Sequence, residues 1–235
     1  MKTKLQNTRV FFLGLLLFFA SVPAGATTLD LFEAIFNLDG TEYVLGYSDS
    51  LPANFTMDES AFDSSTGLGT LSINFSPGTA GDYYIAGFFD HDITEEENYN
   101  VSDETGEAIG TPVAGQSWEI DDPGYSGGNI YDNLLNGTLD NQIFDGAKTD
   151  VSMAMGWNFT LGNERDTAIV DFILSDTVPA SGFYLVHSDP SGYRIYLSSE
   201  LTVVPEPGTL LLMGCGLAGL ALFGRRQNWT DKKNS

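Results

Sequence analysis

The sequence predicts an all-β domain, a β-sandwich, and three observations carry that prediction. Apolar and polar residues alternate cleanly in Leu71–Ser76, where Leu71, Ile73 and Phe75 oppose Ser72, Asn74 and Ser76. They alternate again in Tyr193–Ser198, where Tyr193, Ile195 and Leu197 oppose Arg194, Tyr196 and Ser198. A period of two means a strand with one face buried. The third observation is the density of turn residues between short runs rich in Tyr, Phe, Thr and Val, the signature of many short strands rather than helices.

The elements follow in chain order. Asp39-Gly40 between Ala34–Leu38 and Glu42–Tyr47 is a two-residue hairpin signal, because both turn positions tolerate positive φ. Asp82–Phe89, Gln116–Ile120, Val151–Thr160 and Thr167–Leu174 read as further strands. Only Ile130–Leu135, with Ile130, Tyr131, Leu134 and Leu135, has helical spacing. Between Gly182–His187 and Tyr193–Ser198 lies Ser188-Asp189-Pro190-Ser191-Gly192, in which Pro presets a turn and Gly supplies its exit, predicting a second hairpin. A faint echo links TLSINF (70–75) and GDYYIAGFFDHD (81–92) to TAIVDF (167–172) and SGFYLVHSDP (181–190), which two similar hairpins in one sandwich would explain.

The two ends differ from this body. Lys2, Lys4 and Arg9 precede an apolar Val10–Ala20, and Ser21–Ala26 reads SVPAGA, with Ala24 and Ala26 in an A-x-A pattern. That is a secretory signal peptide over 1–26, cleaved before Thr27. At the other end, Pro205 and Pro207 stop the last strand by removing backbone donors. Thr209–Phe223 is then free of charge over a length of about 22 Å as a helix, short for a bilayer core of about 30 Å. Arg225 and Arg226 follow on the side where positive charge is retained. The expected division is a signal peptide (1–26), an acidic sandwich (27–202), a sorting segment (203–226) with a transmembrane helix over about 208–224, and a short cytoplasmic tail (227–235).

Charge separates these parts. The formal −22 of the chain comprises +3 from the signal peptide, +2 from Pro205–Ser235 and −27 from Thr27–Val204, where only Lys148, Arg165 and Arg194 oppose 30 acids. Such a body repels nucleic acid and anionic lipid and favours cations. The single cysteine, Cys215, lies in the apolar tail, so the exported portion has neither disulfides nor thiol chemistry and depends on its core.

Val204-Pro205-Glu206-Pro207, the Gly- and Leu-rich stretch and Arg225-Arg226 together resemble the PEP-CTERM sorting signal of Gram-negative bacteria. The resemblance implies export across the inner membrane and a transient membrane anchor. It implies processing near the Pro205-Glu206-Pro207 motif by an exosortase-like enzyme, and delivery to the cell surface or an exopolysaccharide matrix. GFFDHDI (87–93), SWEIDDPG (117–124), YDNLLNGTLDN (131–141), DVSMAMGWNFTL (150–161) and SGFYLVHSDP (181–190) resemble a group of PEP-CTERM proteins to which no activity attaches.

Chemistry in the body is sparse in the sequence. His91 and His187 fall at strand ends in polar company, where a turn hydrogen bond accounts for them, and no G-x-S-x-G elbow accompanies them. No catalytic residue is assigned. Asp90 and Asp92, with Asp121 and Asp122, put hard oxygen ligands in what read as loops that could take calcium, though the EF-hand frame is absent. Apart from that calcium no cofactor is expected. Trp118 and Trp157 are the candidate faces for stacking a sugar. Three readings stay open: a non-enzymatic surface or matrix protein, a calcium-assisted adhesin or carbohydrate-binding module, and a secreted hydrolase.

Overall fold

The computed structural model describes residues 27–47, 50–95, 104–124, 127–144 and 150–205, together with 213 and 215–217 of the tail. The predicted signal peptide and nearly all of the predicted membrane helix fall outside them. Among the described residues no helix is long and apolar enough to cross a membrane.

Among the described residues the body has eleven strands and one short helix. In order they are β1 (Thr27–Leu38), β2 (Thr41–Val44), β3 (Phe55–Asp63), β4 (Leu68–Phe75), β5 (Gly81–Glu95), β6 (Thr105–Ile109), β7 (Gln116–Asp121), α1 (Ile130–Asn136), β8 (Ser152–Leu161), β9 (Thr167–Ser175), β10 (Tyr184–Ser188) and β11 (Arg194–Val204). They pair into a five-stranded sheet, β2-β1-β5-β8-β7, and a six-stranded sheet, β3-β4-β9-β11-β10-β6. Neighbouring strands are antiparallel throughout. The predicted sandwich is present.

Alternation decides which side chains meet between the sheets. Leu71, Ile73 and Phe75 of β4 and Ala168, Val170, Phe172 and Leu174 of β9 point inward from one sheet. Ala34, Phe36 and Leu38 of β1, with Phe89, Met153 and Met155, point inward from the other. Phe36, Phe89 and Phe172 form the aromatic centre, with centroids 5.7–5.8 Å apart in tilted and edge-on arrangements. Edge-on and offset geometries are those the ring quadrupole favours.

The five-stranded sheet is covered on its outer face as well. Ile130 and Leu134 of α1 press on Ile35, Tyr84, Ala86, Phe88 and Ala154. That is why β5 and β8 read as nearly continuous apolar runs, since a strand buried on both faces loses its alternation. Asn37 anchors the helix, its Nδ2 donating to the carbonyls of Leu134 at 2.8 Å and Leu135 at 3.0 Å. Gly137, left-handed at φ 67°, closes the helix C-terminus.

Both predicted hairpins form. β1 and β2 pair through Leu38 and Thr41 around Asp39 and Gly40, whose φ values are 51° and 84°. β10 and β11 pair from Ser188 and Arg194 inward, with the Asp189 amide donating to the Tyr193 carbonyl at 3.2 Å. The echo between two segment pairs does not mark two hairpins. β4 and β9 are direct neighbours, with Leu71 opposite Phe172, whereas β5 and β10 lie in opposite sheets.

Candidate functional site

Strand directions give the sandwich two unlike poles. At one, β11 ends at Val204 opposite Thr167, β8 ends at Leu161 opposite Gly81, and β1 turns into β2. At the other, Thr27 pairs Glu95, Asp90 pairs Ser152, and Ser188 pairs Arg194. The eleven residues of β11 span most of the separation, about 33 Å at the strand rise.

The second pole gathers polar groups in the interior. His91 of β5 and His187 of β10, in opposite sheets, are 0% and 1% exposed. The sequence reading made them turn residues; the structure puts both inside. β5 runs on to Glu95, past the predicted strand end, and carries His91 on the inward phase set by Phe89. His187 likewise shares the phase of Leu185. Burial, and after it the neighbouring His187, lowers the His91 imidazole to about 3. His91 is therefore neutral at physiological pH. Its Nε2 lies against Gly67, where φ is 69° and a Cβ would overlap the ring.

Acids gather around His187. Glu104, immediately before β6, is 4% exposed, and its Oε2 lies 2.8 Å from His187 Nε2 while accepting the Val151 amide at 3.0 Å. Asp150, two residues ahead of Ser152 where β8 begins, is raised to about 7, by burial first and then by Glu104 and Asp92. Asp90 is raised to about 8, by burial and then by Asp150, Asp92, Glu104 and Glu33. Asp92 is half-buried and also raised. Sequence reasoning named Asp90 and Asp92 but missed Glu104 and Asp150. No spacing connects positions 90, 104, 150 and 187, and only sheet pairing joins them.

Asp121 and Asp122 stand apart from this group. Asp121 lies one strand beyond Ser152, and its carboxylate accepts the amides of Asp122 and Asn129, each at 2.7 Å. Asp122 Oδ1 accepts the Gly124 amide at 2.9 Å. These contacts organise the turn into α1. Next to them Glu119, 2% exposed, accepts from Asn133 Nδ2 at 2.9 and 3.0 Å and from the Asp140 amide at 3.1 Å. Burial still raises it to about 7. Among the described residues no group of three or more His, Cys, Asp or Glu side chains is placed to hold a metal ion.

The two tryptophans proposed as sugar platforms point inward. Trp157 is 5% exposed, and its indole N–H donates to Ser199 Oγ at 2.9 Å. Trp118 is half-buried against Phe183, centroids 5.6 Å apart. A shallow cavity of about 410 Å³ at the Val204 pole is lined by Asp39, Asp82, Tyr83, Tyr84, Asn158, Phe159 and Thr160.

The sorting segment grows out of the sheet itself. Val203 pairs Ala168, Val204 pairs Thr167, and Pro205 follows at once. The basic pair Arg225 and Arg226 and the residues Glu206 and Pro207 lie outside the described residues, as do Ala24 and Ala26. Comparison with known families matches residues 203–227 to the PEP-CTERM protein-sorting motif. No curated protein and no solved structure matches the chain. The motif implies export, sorting to the cell surface in Gram-negative bacteria, and processing by an exosortase-type enzyme. The chain is thus a protein with a PEP-CTERM sorting motif, fused without a spacer to the last strand of a β-sandwich.

Proposed function

We propose that this is a non-enzymatic surface or exopolysaccharide-matrix protein. Its acidic sandwich is exported, held briefly at the inner membrane by the segment after Pro205, and then cut by an exosortase-type enzyme. The observation that carries the reading is the match over 203–227, which begins on the last two paired residues of β11. Cleavage at or beyond Pro205 leaves every strand of the sandwich in place, so the released body keeps its core. A body charge of −27 favours solubility and cation-rich surroundings over nucleic acid.

Replacing Pro205, Glu206 and Pro207 with alanine tests this in the native cell. The expected result is retention of the unprocessed, larger form in the membrane fraction. Unchanged size and location would overturn the reading.

The calcium-assisted adhesin or carbohydrate-binding module is the alternative, and the concentration of acids at the pole remote from the tail is what favours it. Stoichiometric calcium or glycan binding by the full chain would promote it. A secreted hydrolase is the third reading, and it needs turnover by the purified protein.

A further inference from the structure

The acids at the pole remote from the tail pose a problem of charge. Glu104 Oε2 has the Val151 amide and His187 beside it, but Glu104 Oε1 has no donor, and neither has Asp150 Oδ1. Both atoms are shut away from solvent, yet the two carboxyl groups are neighbours. The amide of Val151, the residue after Asp150, donates to Glu104, and Glu104 raises Asp150 by its charge and by hydrogen bonding. Two ionised carboxylates in that position repel strongly, because little water is present to screen them. One positive species between them removes the conflict, and a proton needs no further ligands. A metal ion needs several, and no such set is assembled among the described residues.

We infer that Glu104 and Asp150 share a single proton, and that this proton latches the two sheets together at the pole remote from the tail. The geometry makes it a latch because its parts come from both sheets. Asp150 leads into β8 of the five-stranded sheet. Glu104 leads into β6, the edge of the six-stranded sheet, and touches His187 on β10, the strand that β6 pairs with. Loss of the proton sets carboxylate against carboxylate across the junction and frees the β6 edge.

The groups facing Asp150 leave no doubt about the direction. They are Glu104 ahead of β6, Asp90 and Asp92 on β5 with Glu33 and Asp30 on β1 behind them, and His187 on β10. Burial and the neighbouring acids raise Asp150 to about 7 from an ordinary value of 3.8. An acid raised on folding stabilises the fold fully at low pH. That contribution fades as pH climbs toward about 7 and is lost above it. The latch is therefore closed in acid and opens in mild alkali. Asp90, raised to about 8, adds a second fall in the same direction, so the Asp150 contribution must be read by difference.

The test compares full-length wild type with Asp150→Asn in detergent micelles, by urea unfolding from pH 5 to 9. Asparagine is shaped like the protonated acid, cannot ionise, and can still donate to Glu104. From pH 5 to about 7 the wild-type unfolding constant should rise relative to that of Asp150→Asn by up to tenfold per pH unit, because the unfolded acid has ionised and the folded one has not. Above about 7 the ratio should level off. A ratio that stays flat across the range overturns the latch. So does restoration of the wild type at pH 9 by millimolar calcium or manganese, since a cation would then be the bridge. Should Asp150→Asn fail to fold, carbon NMR of the Asp150 carboxyl in the wild type decides. Titration near 7 supports the shared proton, and titration near 4 overturns it.

Discussion

Gly67→Ala is the sharpest probe of how the turn between β3 and β4 is fitted to His91. Gly67 sits at φ 69°, and its amide donates to the Asp63 carbonyl at 2.7 Å. A Cβ there would overlap His91 Nε2 and approach Leu31 Cδ1 to 2.9 Å and Leu31 Cβ to 3.0 Å. Left-handed backbone costs a non-glycine residue about 1 kcal/mol. Forcing a methyl into a filled site costs about 1–3 kcal/mol more, so the sum is about 2–4 kcal/mol. Gly40→Ala supplies the control, with φ 84° and nothing within 4 Å of its Cβ, and should cost only about 1 kcal/mol. Urea unfolding of both variants measures the gap, read at an unchanged m-value. A double-mutant cycle with His91→Ala should return a coupling of about 1–2 kcal/mol, because removing the ring makes room for the methyl. If Gly67→Ala costs no more than Gly40→Ala, the close fit between turn and imidazole is wrong.

Other substitutions test the core and the outer layer. Ser199→Ala strands the buried Trp157 indole N–H and should lower stability by about 1–3 kcal/mol, with a shifted Trp emission maximum as its signature. Phe172→Ala removes the ring that packs on both Phe36 and Phe89. It should cost about 3–5 kcal/mol by chemical denaturation. Asn37→Ala removes the side-chain donor to the Leu134 and Leu135 carbonyls, of which Leu134 still accepts from the Gly137 amide at 3.1 Å. It should cost about 1–3 kcal/mol and accelerate amide exchange in α1 ahead of the strands.

The sandwich was legible wherever one face of a strand is wet. Leu71–Ser76 and Tyr193–Ser198 alternate because β4 and β11 bury one side only, and the Asp39-Gly40 and Asp189–Gly192 turns carry their own backbone chemistry. β3 escaped notice because it is a sheet edge with a bulge between Asp58 and Ala61, so its side chains lose phase midway. β6, TGEAI, is a five-residue edge with little apolar content to reveal it. The sorting motif over 203–227 was legible, since proline, charge and apolar length act locally. The buried pole was not. His91 and His187 are 96 positions apart, and what unites them is which sheet each strand joins. Trp157 was unreadable for a related reason: β8 turns it inward, where its partner Ser199 is supplied by the facing sheet.

The two poles also bear on how the molecule is presented. β11 carries the chain straight from the interior of the six-stranded sheet into Pro205, and a proline there cannot extend the ladder. The chain therefore leaves the sheet at the Val204 pole. On the proposed reading an anchor after Pro205 would turn that pole toward the membrane, and the pole with Glu104, Asp150 and His187 lies about 33 Å away along β11. Ten or more flexible residues inserted between Val204 and Pro205 would uncouple the two ends. If anchoring through a paired strand is what keeps the processing enzyme working next to the fold, the insertion should change the rate of cutting and leave the stability of the sandwich unaltered. Equal rates with and without the insertion would show that the enzyme reads the motif alone and that the rigid junction has no part in sorting.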